Sequence, residues 1–460
     1  MQLIHSQRMV TPHGIVAGGL IVQDGWITEV IDELTVERLQ AFPGVIADFG
    51  ECYLLPGVID SHVHVNQPGR TDWEGIETAS RAAAAGGITT IVDMPLNSSP
   101  VTISRSALEA KQRSVERQAW VDLGFHGGVV GTGRGGQPAS SPAEVEALIE
   151  AGVMGIKVFL CDSGIDEFPP VTLAELSWLM PLLAQFQVPL WVHAEVVPSE
   201  WRVPPVIQNY RQWSEVRSQE FEEEAITQLI ELCRRYACPT HIVHLSHARP
   251  LSKIRRAKRE GLPLTVETCP HYLCFAEEEI PPLDSRFKCC PPIRDRQNQH
   301  RLWDALELGE IDTLGSDHSP CPPELKMMDK ADFAAAWGGI ASLQLLLPVM
   351  WDAAQQRQLP ISRLVECLSS RPAELLGLSS IKGSLEPGRL ADIVVFDPDQ
   401  RWTIHGRELL HRHKLTPYEG RSVQGQVVRT YLAGTTTFDA GTMVSPPLGR
   451  PLRRGMKSTC

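Results

Sequence analysis

The chain has 460 residues, 43% of them apolar, enough to bury a large core and incompatible with a disordered protein. Its formal charge of -12 argues against nucleic acid or an anionic membrane as partner, and no apolar run reaches the roughly 18 residues of a membrane span. Eleven cysteines at irregular spacing, none in a CxxC pair, and a start without a charged-then-apolar leader predict a reduced, cytoplasmic protein.

Residues 1–53 read as short strands, with a hairpin turn at Asp24-Gly25. The same texture returns after Gly383, in Ile393-Val-Val-Phe, Val427–Leu432 and Thr435–Phe438. The two ends are therefore expected to form one small β domain, a β-sandwich of residues 1–53 plus 383–440. Residues 441–460, with proline, glycine and basic residues, read as an exposed tail.

Between the ends, strand and helix alternate. Eight strand candidates lie at 55–62, 88–93, 121–127, 153–159, 188–193, 240–245, 263–268 and 312–317, with helical stretches such as Ser141–Ala151 and Glu222–Tyr236 between them. This predicts an α/β fold with a TIM-like (β/α)8 barrel over residues 54–382. A doubly wound sheet is the rival. Gly131-Thr-Gly-Arg-Gly-Gly formally matches the dinucleotide fingerprint, but Gln-Pro-Ala-Ser-Ser follows, so no helix opens there and the glycines read as a loop.

Active-site groups of a parallel barrel sit at the C-terminal strand ends. The first strand ends in His62-Val-His64, two imidazoles on one face, able to clamp a metal ion. Further ends supply Lys157, His193, His244 and Asp317. A lysine inside an apolar strand must lose its charge or find a partner. A neutral amine there can add CO2, and the resulting carbamate can bridge two cations. The alternative is a salt bridge from Lys157 to a neighbouring carboxylate. His241, His247 and His318 read as non-ligands. His126 and His271, ending strands three and seven, read either as groups orienting ligands or as packed core histidines. Cys161, Cys289, Cys290 and Cys321 fall in mouth loops.

The stretch Gly57-Val-Ile-Asp-Ser-His-Val-His resembles the first strand of the amidohydrolase superfamily, in its cyclic-amidase branch. Within that branch, Asn66-Gln-Pro-Gly-Arg, Asp93-Met-Pro-Leu-Asn, Lys157-Val-Phe-Leu-Cys-Asp-Ser-Gly, Lys288-Cys-Cys-Pro-Pro-Ile-Arg and Ser316-Asp-His-Ser-Pro-Cys resemble the allantoinases. The resemblance implies two divalent metal ions per subunit, zinc being usual. His62, His64 and Asp317 would hold one, His193 and His244 the other, with N6-carboxylated Lys157 between them. It implies Asp317 as general base and acid in hydrolysing the cyclic amide of (S)-allantoin to allantoate, a step of purine breakdown. It also implies a homotetramer, with Arg70, Asn97, Cys290, Trp337 and Gly338 contacting substrate. Arg70 could instead pair with Asp72 or Glu74 at the rim. Asp162 stands where hydantoinases and dihydropyrimidinases carry a tyrosine, and Gln67 where the allantoinase stretch usually has a glutamate. The alternatives are a hydantoinase, dihydropyrimidinase or dihydroorotase, or a non-catalytic scaffold relative.

Overall fold

The computed structural model describes residues 1–133, 138–330 and 332–457. Part of the Gly131–Gly136 loop lies outside the described residues, as does the last residue, Cys460.

Eight short parallel strands form the barrel: Val58–Val63, Ile88–Asp93, Asp122–Phe125, Ile156–Phe159, Leu190–His193, Thr240–Ile242, Leu264–Thr268 and Thr313–Leu314. The first three pair as one sheet. The third continues through Gly127–Gly128, which pairs with the fourth and opens the second sheet. The ring closes where Val63 bridges His318 in parallel and the His64 amide donates to the His318 carbonyl. Asp60 Oδ1 braces this seam, accepting from the His62 and Ser316 amides. Every residue of the first two strands is buried, as in a parallel sheet covered by helices.

The helices begin where local chemistry favours it. Ser141 caps Pro142–Glu150 in a capping box with Glu144, and Ser218 caps Gln219–Tyr236. The buried faces of these helices pack on the strands as one apolar core.

Both chain ends enter one nine-stranded sheet. Its seam is Tyr53–Pro56, a strand separate from Val58–Val63, where one strand over 55–62 is expected from the sequence. It pairs parallel with Gln2–Thr11 and antiparallel with Ile393–Thr403. Asp24 and Gly25 have φ of 51° and 88°, the left-handed pair that a two-residue hairpin turn needs. Three buried charges tie barrel to sheet: Lys382 donates to Asp392 and, at 2.8 Å, to Asp122.

The described part of the tail, residues 441–457, is mostly exposed. Around residues 449–452 it runs beside the third barrel strand. The Leu123 amide donates to the Arg450 carbonyl (2.9 Å) and the Leu452 amide to the Leu123 carbonyl (2.7 Å). Leu452 supplies the reason, as an apolar side chain buried against the barrel while most of its neighbours are exposed.

Candidate active site

The strand ends surround a cavity of about 300 Å³ lined by His62, His64, Lys157, His193, His244 and Asp317. All six are buried. His62 Nε2 and His64 Nε2 each lie 3.4 Å from Asp317 Oδ1, and Ser319 Oγ donates to the same oxygen at 2.9 Å. The His193 and His244 rings meet edge to face with centroids 4.6 Å apart, and the His62 ring is 5.5 Å from His244. Asp317 and His244 have φ of 43° and 40°. That left-handed backbone is uncommon for such residues and is the kind of strain that functional sites retain.

Among the described residues Lys157 pairs with no carboxylate. Its Nζ is buried with no hydrogen-bond partner, 5.0 Å from the centre of the Phe159 ring, and burial lowers the ammonium to about 8. His244 Nδ1 is likewise without a partner. Burial holds the His64, His193 and His244 rings toward the neutral, ligating form. Burial alone would raise the Asp317 carboxyl, but the neighbouring histidines hold it well below the usual carboxylate range. Unpartnered nitrogens, neutral imidazoles and an ionised carboxylate around one polar space fit divalent cations.

Two carboxylates behind the candidate ligands, Glu267 and Glu195, are not singled out in the sequence. Glu267, at the end of the seventh strand, accepts from His62 Nδ1 at 2.7 Å and so turns Nε2 toward Asp317. Gly315 makes room for it, since a Cβ there would stand 2.4 Å from Glu267 Oε2. Glu195 lies 2.7 Å from His193 Nε2, leaving Nδ1 for the cavity. The Arg217 guanidinium holds that carboxylate through Nη2 at 2.7 Å and Nε at 3.0 Å. Glu74 lies 3.2 Å from His318 Nε2 on the outer side of the ring, so His318 faces away from the cavity as expected. The signal for Glu267 and Glu195 was present: a carboxylate inside an apolar strand, and one two residues past a ligand.

Asn97, Cys290, Trp337 and Gly338 line the cavity as expected. The Asn97 amide, however, lies 3.3 Å from His64 Nδ1, so it also orients that ring. A Cβ on Gly338 would meet Cys290 Sγ at 3.0 Å, so glycine lets this loop close on Cys290. Arg70 is not among the cavity-lining residues; it donates to Glu167 at 3.1 Å and to the carbonyl of cavity-lining Asn97 at 3.4 Å, rather than to Asp72 or Glu74, and sits over Trp73, whose ring meets Trp337 edge-on. Gln67 also lies off the cavity, accepting from the Ile76 amide at a helix start.

The remaining histidines pack. His126 Nε2 lies 3.1 Å from the Ser61 carbonyl, and His126 and His271 are both buried away from the cavity. His241 Nδ1 meets Thr265 Oγ1 at 2.8 Å. Burial pushes the Cys161 thiol up to about 12, and its sulfur accepts from Arg217. The cavity also gains Trp213, Arg217 and Lys288, none of them expected there as a contact.

The sequence profile of the amidohydrolase family matches residues 53–437. The chain is 40% identical to an allantoinase of Arabidopsis thaliana, covering 97% of this chain and 90% of that protein. It is 42% identical to an allantoinase of Saccharomyces cerevisiae, covering 94% and 92%. Among solved structures, the L-hydantoinase (dihydropyrimidinase) of Arthrobacter aurescens superposes with a TM-score of 0.91 at 27% identity, covering 98% of this chain and 99% of that one.

Proposed function

The chain belongs to the amidohydrolase family, and from that premise we propose that it is an allantoinase, opening the ring of allantoin to allantoate by hydrolysing its cyclic amide. One observation carries the chemistry: two imidazole nitrogens converge on Asp317 Oδ1 beside the unpartnered Lys157 Nζ and His244 Nδ1. In this reading His62, His64 and Asp317 would hold one divalent ion and His193 and His244 the other, and neutral Lys157 Nζ would bond the carbon of CO2, release one proton and supply a carbamate as a further ligand. When bound, the cations, for which zinc suits this donor set, acidify water and polarise the ring carbonyl.

The protein's own groups do the rest. Glu267 and Glu195 fix the tautomers of His62 and His193. Asp317, kept ionised, takes the proton of the attacking water and hands it to the ring nitrogen as the C–N bond breaks and the carboxylate forms. A homotetramer in the cytoplasm belongs to the same reading, as does a division into residues 1–53 with 383–440, and 54–382. One relative is an allantoinase named as mitochondrial, and no helix among the described residues is long and apolar enough to cross a membrane.

The test is allantoate formation by metal-replete protein, run beside dihydroorotate, hydantoin and dihydrouracil. Allantoin should lead in kcat/KM by at least ~10²-fold. Preference for another ring would keep the metal chemistry and discard the substrate.

A further inference from the structure

Two buried lysines grip the loop that carries Trp337 and Gly338. Lys326 Nζ donates to the carbonyls of Trp337 (3.1 Å), Lys288 (3.4 Å) and Gly339, three acceptors for three protons. Lys288 Nζ donates to only two, the carbonyls of Ala336 (2.6 Å) and Ala334 (3.3 Å). Lys326 does not line the cavity, whereas Lys288 does. Among the described residues no carboxylate forms an ion pair with Lys288. Its ammonium sits 4.3 Å from the centre of the Trp213 ring, and Trp213 is itself fixed by Nε1 donating to the Cys289 carbonyl. Arg217 lies against the same ring but is occupied by Glu195. One N–H of a buried cation that lines the cavity is thus left over.

We propose that Lys288, braced on Trp213, donates this hydrogen bond to the carbonyl of the substituent beside the scissile amide, which in allantoin is the ureido arm. Lys288 thereby sets the preference for ureido-bearing over unsubstituted rings. The inference rests on the allantoinase reading and names the part of the site that reads the arm. Burial brings the Lys288 ammonium to about 8, so it is mostly charged at neutral pH.

The experiment uses hydantoin, the ring without the arm, as a competitive inhibitor, with metal content measured in parallel. Lys288→Met should raise KM for allantoin at least ~30-fold, as for a lost charge-assisted hydrogen bond. Because Lys288→Met also releases the Ala334 and Ala336 carbonyls, the hydantoin Ki should rise no more than it does in Lys326→Met, far less than KM for allantoin, and the metal stoichiometry should not change. Lys326→Met loosens the same loop without touching the cavity, so it should move KM and Ki together. If Lys288→Met fails to fold, Lys288→Gln is measured the same way. Equal changes in KM and Ki would overturn the subsite, as would a larger loss on dihydroorotate, which carries a carboxylate in place of the arm. Wild-type protein that leaves allantoin intact would instead overturn the functional reading and the subsite with it.

Discussion

At the scale of single residues, Asp317 combines an unusual backbone with an unusual charge state. Asparagine adopts left-handed backbone as readily as aspartate, so Asp317→Asn removes the proton carrier without a conformational penalty. Turnover should fall at least ~10²-fold while the melting temperature holds within a few degrees. Activity near that of the wild type would remove Asp317 from proton transfer. Lys157→Ala should lose bound metal and activity, with partial recovery on adding short carboxylic acids, read by metal analysis and turnover. Full metal retention would make Lys157 a structural residue. At Gly315, an added methyl cannot coexist with Glu267 at 2.4 Å. Gly315→Ala should therefore displace Glu267 from His62 and weaken metal affinity ~10–100-fold in a competition assay against a chelator.

At the scale of elements, helix Gln219–Tyr236 holds the loop after the sixth strand through Glu222, which accepts from Ser246 Oγ at 2.8 Å and from its amide at 2.9 Å. Burial pushes this carboxyl from the ordinary 4.5 to about 8. The folded chain then keeps a proton there that the unfolded chain releases above about pH 4.5. This contribution is fully present below that pH and is lost as pH rises toward 8. Glu222→Gln should therefore gain on the wild type in thermal melts between pH 5 and 8, by on the order of 3 kcal/mol. A constant difference across that range would mean that Glu222 is ionised in the fold.

The barrel strands and the six polar residues at their ends were legible because an apolar run interrupted by histidine, lysine or aspartate is visible one strand at a time. Glu267 and Glu195 were visible in the same way, but they act through His62 and His193, and only contact reveals that. Trp213, Arg217 and Lys288 come from a helix and loops between strands. Which of them reaches the cavity depends on the three-dimensional course of the connections rather than on local pattern. Arg70 shows the same limit, since its partner Glu167 lies 97 positions away.

At the scale of the whole molecule, barrel and sheet are joined by the buried charges Asp122, Lys382 and Asp392. Lys382→Met would leave two carboxylates buried without their cation. It should destabilise the protein by about 3–5 kcal/mol in urea unfolding. Changing both aspartates to asparagine in that variant should restore part of the loss. A cost below about 1 kcal/mol would show that water reaches the triad.

The seam at Tyr53–Pro56 also bears on how the chain is made. Its parallel partner, Gln2–Thr11, is translated before it, but its antiparallel partner, Ile393–Thr403, is translated more than 330 residues later. Through most of synthesis the early strands therefore present an unsatisfied row of amides and carbonyls, a template for pairing with other nascent chains. A premature stop before Ile393 would make that exposure permanent. Such fragments should be cleared or aggregate even when all eight barrel strands have been translated.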